Sequence, residues 1–97
     1  NPGFIVVWDW LGEVQAMTGD FKDASDAFAK ALALEPANVD HYRKLARALE
    51  LQNRYDEAIA VVRRHIQLMQ EQGNKEMAGQ LRTYIDLLEY KKVKRSR

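Results

Sequence analysis

The chain has 97 residues, which is enough for one small domain and too few for two. Hydrophobic residues make up 46% and charged residues 30%, a balance typical of a folded domain rather than a disordered segment. The absence of cysteine excludes disulfides, zinc–thiolate sites and a cysteine nucleophile, and the formal charge of +1 selects neither an acidic nor a basic partner.

Apolar spacing and helix-ending residues predict an all-α chain without strands. The five predicted helices span 5–17, 21–34, 39–52, 55–72 and a segment that begins near 74. Gly19 ends the first helix and Asp20 caps the second, while Pro36 ends the second and Asn38 caps the third. Asn53 then stands at the turn position that Gly19 holds earlier in the chain.

The chain repeats itself with a period of 34 residues. The shift superimposes Trp8 on Tyr42, Leu11 on Leu45, Gly12 on Ala46, Gly19 on Asn53, Phe21 on Tyr55, Ala24 on Ala58 and Phe28 on Val62. The small residues Gly12 and Ala24 are predicted to face each other and let two antiparallel helices approach closely. One such hairpin cannot bury its apolar face alone, so hairpins are predicted to stack.

This pattern resembles the tetratricopeptide repeat family, in which a bulky aromatic, a leucine–glycine pair, a glycine–x–aromatic, alanines and a terminal proline recur. The first repeat matches it through Trp8, Leu11, Gly12, Gly19, Phe21, Ala24, Phe28, Ala31 and Pro36. Gln15 departs from the pattern in this repeat, and His65 and Gln70 depart from it in the second. The resemblance implies a right-handed α-α superhelix of two helix hairpins followed by a capping helix.

The implied organisation has five parts. They are the end of a preceding repeat (1–4), repeat 1 (5–38), repeat 2 (39–72), a capping helix (73–90) and a basic tail (91–97). In the capping helix, Met77, Leu81 and Tyr84 are expected on the packing face. The chain is therefore interpreted as a C-terminal fragment of a longer array.

The resemblance also implies a concave groove lined by the first helix of each repeat. The implied groove residues are Val6, Asp9, Glu13, Ala16, Met17, Asp40, Arg43, Arg47, Glu50 and Leu51. Asp9 and Glu13 share one helix face, as do Arg43 and Arg47. Two interpretations stay open: the arginine pair grips a carboxylate or an acidic peptide, or the acidic and arginine pairs neutralise each other as solvated salt bridges.

Some members of the family bind chaperone tails through a carboxylate clamp. That clamp requires lysine and asparagine at the positions where this chain has Asp9 and Glu13. Because the charge is reversed, binding of a heat-shock chaperone tail is not expected.

The first helix is apolar nearly all round, which is typical of a helix buried on several sides. Its apolar residues are Ile5, Val6, Val7, Trp8, Trp10, Leu11, Val14 and Met17. Trp10 stands where the family usually has a polar residue. Either a preceding repeat covers this helix, or Val6 and Trp10 form a surface for peptide binding or self-association, which would make a homo-oligomer possible.

The sequence contains few residues that could form a catalytic or metal-binding site. His41 is expected to face solvent and His65 to pack inside, and neither has a second ligand at metal-binding spacing. No serine elbow, phosphate loop or paired-carboxylate motif is present. We therefore expect no catalytic residue, no metal, no cofactor and no small-molecule substrate.

Five of the seven residues from Lys91 to Arg97 are basic, whereas all fourteen acidic residues precede them. Such a tail could contact nucleic acid, an anionic membrane or a nuclear-import receptor, or it could simply suit the negative end of a helix dipole. The missing aromatic platform argues against nucleic acid. The longest apolar run, 4–8, is too short to span a membrane, and the cysteine-free composition favours the cytoplasm without establishing it.

The sequence thus predicts a non-catalytic scaffold that binds a peptide or protein partner in its groove. Two alternatives remain open: a self-association module, and a docking or regulatory arm of an enzyme whose catalytic domain lies outside this chain.

Overall fold

Five α-helices make up the regular structure of residues 2–96, the part of the chain that the computed structural model describes. The helices are α1 (Pro2–Met17), α2 (Phe21–Leu34), α3 (Val39–Glu50), α4 (Tyr55–Glu71) and α5 (Lys75–Arg95). No strand occurs within this range. The prediction of five helices and an all-α fold is confirmed, whereas the right-handed sense of the stack and the repeat boundaries stay predictions.

Side-chain caps start three of the helices. The carboxylate of Asp20 accepts from the amide of Asp23, and the Asn38 side chain accepts from the amide of Asp40 at 3.0 Å. Asn74 does the same for α5, with its side-chain oxygen 3.0 Å from the amide nitrogen of Met77. Each cap satisfies an amide that the first turn of a helix leaves unpaired, which is why these helices begin where they do.

Left-handed residues turn the chain between helices. Gly19 and Asn53, which are 34 positions apart, have φ values of 84° and 61°. Asparagine tolerates this region better than other side-chain-bearing residues, so Asn53 can do what glycine does in the first copy. The prediction that Asn53 replaces Gly19 at the turn is confirmed.

The outermost helices are longer than the sequence predicts. Helix α1 begins at Pro2 rather than at residue 5, since the fixed φ of proline suits a first helical position. Helix α5 continues beyond residue 90 because two lysines of the basic tail bind the body of the protein. Lys91 pairs with Glu50 of α3, and the Nζ of Lys92 lies 2.6 Å from a carboxylate oxygen of Asp56.

Helices that are consecutive in the chain pack side by side, from α1 on α2 to α4 on α5. Small side chains lie at these contacts, and the fully buried alanines are Ala24, Ala31, Ala46, Ala58 and Ala78. On α5, Ile85 and Leu88 are buried, and Leu81 and Tyr84 are half-buried on the same face. Met77 lies at the edge of this face, 37% exposed, and lines a cavity together with Leu81 and Tyr84.

The closest approach between α1 and α2 occurs at Gly12. A Cβ atom placed on Gly12 would lie 2.5 Å from the ring of Phe28, so the ring edge occupies the space that a side chain would need. Ala24 is the residue predicted opposite Gly12, but the nearest atoms belong to Phe28. Glycine at this position therefore fixes how closely the first hairpin can pack.

We expect the substitution Gly12→Ala to lower the free energy of unfolding by about 1–2 kcal/mol, because the clash with Phe28 outweighs the better helix propensity of alanine. The matched control is Gly79→Ala in α5, where an added Cβ meets no atom within 4 Å. That control should gain up to about 1 kcal/mol from helix propensity alone. Urea unfolding followed by circular dichroism measures both, and equal effects of the two substitutions would contradict the close contact.

Candidate binding groove

Helix α3 carries an exposed strip of three charged residues and one leucine along one side. Its members recur at spacings of three and four residues and therefore share a face: Asp40, Arg43, Arg47 and Leu51 just past the helix end. A cavity opens on either side of this strip. We name them by the helix that closes them, the α5-side cavity and the α1-side cavity.

The α5-side cavity has a volume of about 320 Å³. Its apolar walls come from α3, α4 and α5: Val39, Tyr42, Ala46, Val62, Met69, Met77, Leu81 and Tyr84. Asp40 and Arg43 border it, and His65 lies in its wall, stacked on Tyr42 with ring centroids 5.4 Å apart. Burial lowers the pKa of His65, and the nearby Arg43 lowers it further, so this imidazole is neutral at pH 7.

The α1-side cavity has a volume of about 290 Å³. Its apolar walls come from α1, α2 and the end of α3: Ala16, Met17, Phe21, Phe28, Ala48 and Leu51. Charged side chains at its border are Glu13, Lys44 and Arg47. The two cavities are thus alike in being mostly apolar with a basic side chain at the rim.

Lys44 contacts both carboxylates of the acidic pair of α1, so one positive charge faces two negative ones. Its Nζ donates to both carboxylate oxygens of Asp9, at 2.9 and 3.1 Å, and lies 3.4 Å from Glu13. Burial alone would lower the pKa of Lys44, but Asp9 and Glu13 outweigh it and raise the pKa above its usual range. The expectation that this acidic pair and the arginine pair neutralise each other is wrong, because Lys44 occupies the position between α1 and α3.

The two arginines of the strip differ in how well they are compensated. The guanidinium of Arg43 donates to Asp40, one turn back in α3, at 3.0 Å. Arg47 lies 3.6 Å from Glu50, which is too long for a good hydrogen bond, and its side chain is 65% exposed. Among the described residues of the strip, Arg47 therefore keeps the most donor capacity for a ligand.

Glu50 was expected in the groove but is buried, with only 4% of its surface exposed. Helix α5 covers it: the hydroxyl of Tyr84 donates to one carboxylate oxygen at 2.6 Å, and Lys91 donates to the other at 2.5 Å. Burial alone would raise the pKa of Glu50, but the bonds from Lys91 and Tyr84 outweigh it and lower the pKa. Burial and the bond to Glu50 in turn raise the pKa of Tyr84. Glu50 is thus a joint between α3 and α5.

His41 was expected to face solvent, and that expectation is wrong because only 3% of its surface is exposed. Its Nε2 lies 2.9 Å from the carboxylate of Glu35, just past the end of α2, and its Nδ1 lies 3.6 Å from Asp9. The hydrogen bonds with His41 and then Asn38 lower the pKa of Glu35. His41 is therefore hydrogen-bonded to Glu35, whereas its Nδ1 is buried without a hydrogen-bond partner although Asp9 of α1 lies nearby.

The remaining predicted groove residues lie in two places. Met17 and Leu51 border the α1-side cavity, together with Ala16. Val6 is exposed on α1 and borders neither cavity, and the same holds for Trp10.

Along the tail, Lys91 and Lys92 are bound to the body, and the Nζ of Lys94 lies 6.0 Å from the ring centroid of Tyr90. Within residues 2–96, no cluster of three or more histidine, cysteine or acidic side chains could hold a metal ion. The helices described here include none that is both long enough and apolar enough to cross a membrane.

Comparison with protein-family models matches residues 11–73 to the family described as Tetratricopeptide repeat, about two thirds of the chain. The chain belongs to the tetratricopeptide repeat family. A search of curated proteins finds no match. Tetratricopeptide repeats are typically non-catalytic modules for interaction between proteins.

Sequence reasoning missed Lys44 and the Glu50 joint within this tetratricopeptide repeat domain. The repeat period could have indicated one of them, because Tyr84 follows Glu50 by 34 residues. Lys44 follows Asp9 by 35 residues, so a search for opposite charges about one period apart would have found it as well.

We expect Glu50→Gln to lower the free energy of unfolding by about 1.5–3 kcal/mol at pH 7, because charge-assisted hydrogen bonds to a buried group are lost. Glu57→Gln is the matched control, since Glu57 pairs with Arg54 at the surface and should matter by less than about 1 kcal/mol. Urea unfolding compares the two variants with the unmodified chain. Equal small losses would show that the Glu50 joint is not stabilising.

The hydrogen bonds of Glu50 also predict that the stability of the chain depends on pH. Because the folded chain holds the pKa of Glu50 below its unfolded value of about 4.3, its contribution is complete above that value and is lost as the pH falls through the lower, folded-state pKa. The stability difference between the unmodified chain and Glu50→Gln should therefore shrink as the pH is lowered from about 6 to about 3. A difference that stays constant over this range would contradict the lowered pKa.

Proposed function

We propose that this domain is a non-catalytic scaffold that binds an extended acidic peptide segment of a partner protein across α3. One apolar side chain of the peptide enters the α5-side cavity and another enters the α1-side cavity. Acidic side chains between them face Arg43 and Arg47. The observation that carries this proposal is the pair of apolar cavities flanking one exposed arginine pair.

The spacing of the cavities sets the spacing of the peptide's anchors. Arg43 borders one cavity and Arg47 the other, and four helical residues correspond to about 6 Å along the axis of α3. An extended peptide advances at most about 3.5 Å per residue, so two anchors with three residues between them lie up to about 14 Å apart, which is enough to span this rim separation and reach into both cavities. Two apolar anchors separated by three residues fit this geometry.

The charges of the groove favour acidic residues between the anchors. Lys44 binds both Asp9 and Glu13, which leaves this cluster with one net negative charge, so the acidic residues of the peptide are placed beside Arg43 and Arg47 and not beside α1. Arg47 has only a long contact with Glu50, whose carboxylate is already bonded to Lys91 and Tyr84. A peptide carboxylate could therefore make forked hydrogen bonds with Arg47 without displacing a good ion pair.

Apolar contact supplies the rest of the binding free energy. Met17 and Leu51 are exposed at the rim of the α1-side cavity, and Met77 is exposed at the rim of the α5-side cavity. Methionine side chains adapt to apolar groups of different shape. The groove should therefore accept several aliphatic anchors while requiring acidic residues between them.

The test uses a fluorescein-labelled peptide with two leucines separated by three glutamates, followed by fluorescence anisotropy. The double variant Arg43→Glu/Arg47→Glu should bind it at least tenfold more weakly, because attraction becomes repulsion. Asp40→Asn should bind it more tightly, because Arg43 loses its competing partner.

The matched control is Lys75→Glu/Arg82→Glu, which changes the net charge equally at exposed positions of α5 outside both cavities. It should keep the affinity within about twofold, since exposed charges at a distance are screened by salt. A second control peptide replaces the two leucines with serines and should not bind. If both double variants weakened peptide binding equally, the effect would come from net charge alone, and this would contradict binding in the groove.

A further inference from the structure

Helix α1 presents an apolar strip on the side that faces away from α2. The strip consists of Val7, Trp10, Val14 and Met17, all exposed, with Trp10 at 64% and Met17 at 85%. Helix α1 contacts α2 from its opposite side, where Gly12 is buried against Phe28. None of the four strip positions is charged.

The spacing of the strip is that of a helix-packing seam. Its members follow one another at intervals of three, four and three residues, which keeps them in one line along the helix and is the spacing of the inward positions in paired helices. The only charged residues within α1 are Asp9 and Glu13, and both are held by Lys44 of the same chain. Neither acidic residue belongs to the strip, so a helix laid along the strip covers no charged position of the strip itself.

The strip is complementary to itself when two copies run antiparallel. The intervals read the same in both directions, so a two-fold axis near position 12 places Val7 opposite Met17 of a second copy. The same axis places Trp10 opposite Val14 of the second copy. Each pair combines a small β-branched side chain with a large one, which fills the space between two helices evenly.

We propose that the α1 strip is a self-association surface, through which two copies of this chain pair as antiparallel α1 helices about a two-fold axis. The occupant of the strip is a second copy because spacing, side-chain size and the absence of charge all match the strip itself. The α1 strip is separate from the binding groove, and Met17 is the one residue that belongs to both.

The size of the strip sets the strength of the association. From Val7 to Met17 it covers three helical turns, about 15 Å along the axis. We therefore expect a dimer that dissociates on dilution, with a Kd in the micromolar range.

Sedimentation equilibrium of the 97-residue chain between about 5 and 500 µM tests the association, since this range brackets a micromolar Kd. The unmodified chain should change from monomer to dimer, and Trp10→Glu should stay monomeric throughout. The matched control, Leu87→Glu, changes an exposed apolar residue of α5 in the same way and should still dimerise. A monomer at every concentration, or dimers lost only with Leu87→Glu, would overturn the proposal.

Introduced cysteines test the antiparallel geometry, because the natural chain has none. A mixture of Val7→Cys and Met17→Cys chains should form a mixed disulfide under mild oxidation, whereas Val7→Cys alone should not cross-link. Leu34→Cys, exposed on α2, reports random collision. Efficient cross-linking of Val7→Cys with itself would overturn the antiparallel pairing, and circular dichroism shows that each variant is folded.

Discussion

The groove depends on two charged joints that connect α3 to the helices on either side of it. Lys44 reaches from α3 to Asp9 of α1, and Tyr84 and Lys91 reach from α5 to Glu50 of α3. These are long polar side chains, so they connect helices without drawing the backbones into close contact. The space that they leave beside α3 is the two cavities.

Consecutive helices are joined in a different way. They meet through alanines and through Gly12, which let the backbones approach and exclude water over a continuous surface. Most of the stabilising burial lies there. The charged joints contribute mainly to the position of the helices, because the cost of removing charges from water offsets much of their attraction. The domain thus separates the contacts that hold it together from those that shape its surface.

The fold could be predicted from the sequence because it rests on local signals that repeat. Asn53 at the position of Gly19 and alanines at matching positions 34 residues apart depend on backbone preferences and side-chain size. Those properties belong to single residues. The partners of charged side chains depend instead on where several helices come together. Arg43 and Lys44 are adjacent in sequence, yet only Lys44 reaches the acidic pair of α1.

The burial of polar residues near helix ends could not be predicted from the sequence either. His41 lies in the first turn of α3, where a polar residue usually faces water. It is buried because Glu35 follows the end of α2 and Asp9 approaches from α1, so three separate segments meet around one ring. Its environment could not be read from the neighbours of His41 in the chain.

The thinness of the molecule has a practical consequence. The described residues extend 40 × 35 × 16 Å, and the largest side chains that are completely buried are Leu88 and Val62. A slab of this shape has a small interior for its surface, so its unfolding free energy is modest and contacts from outside make up a large share of what can be gained. Any molecule that binds only the folded chain raises its melting temperature, and the melting temperature thereby becomes a sensitive reporter of occupancy.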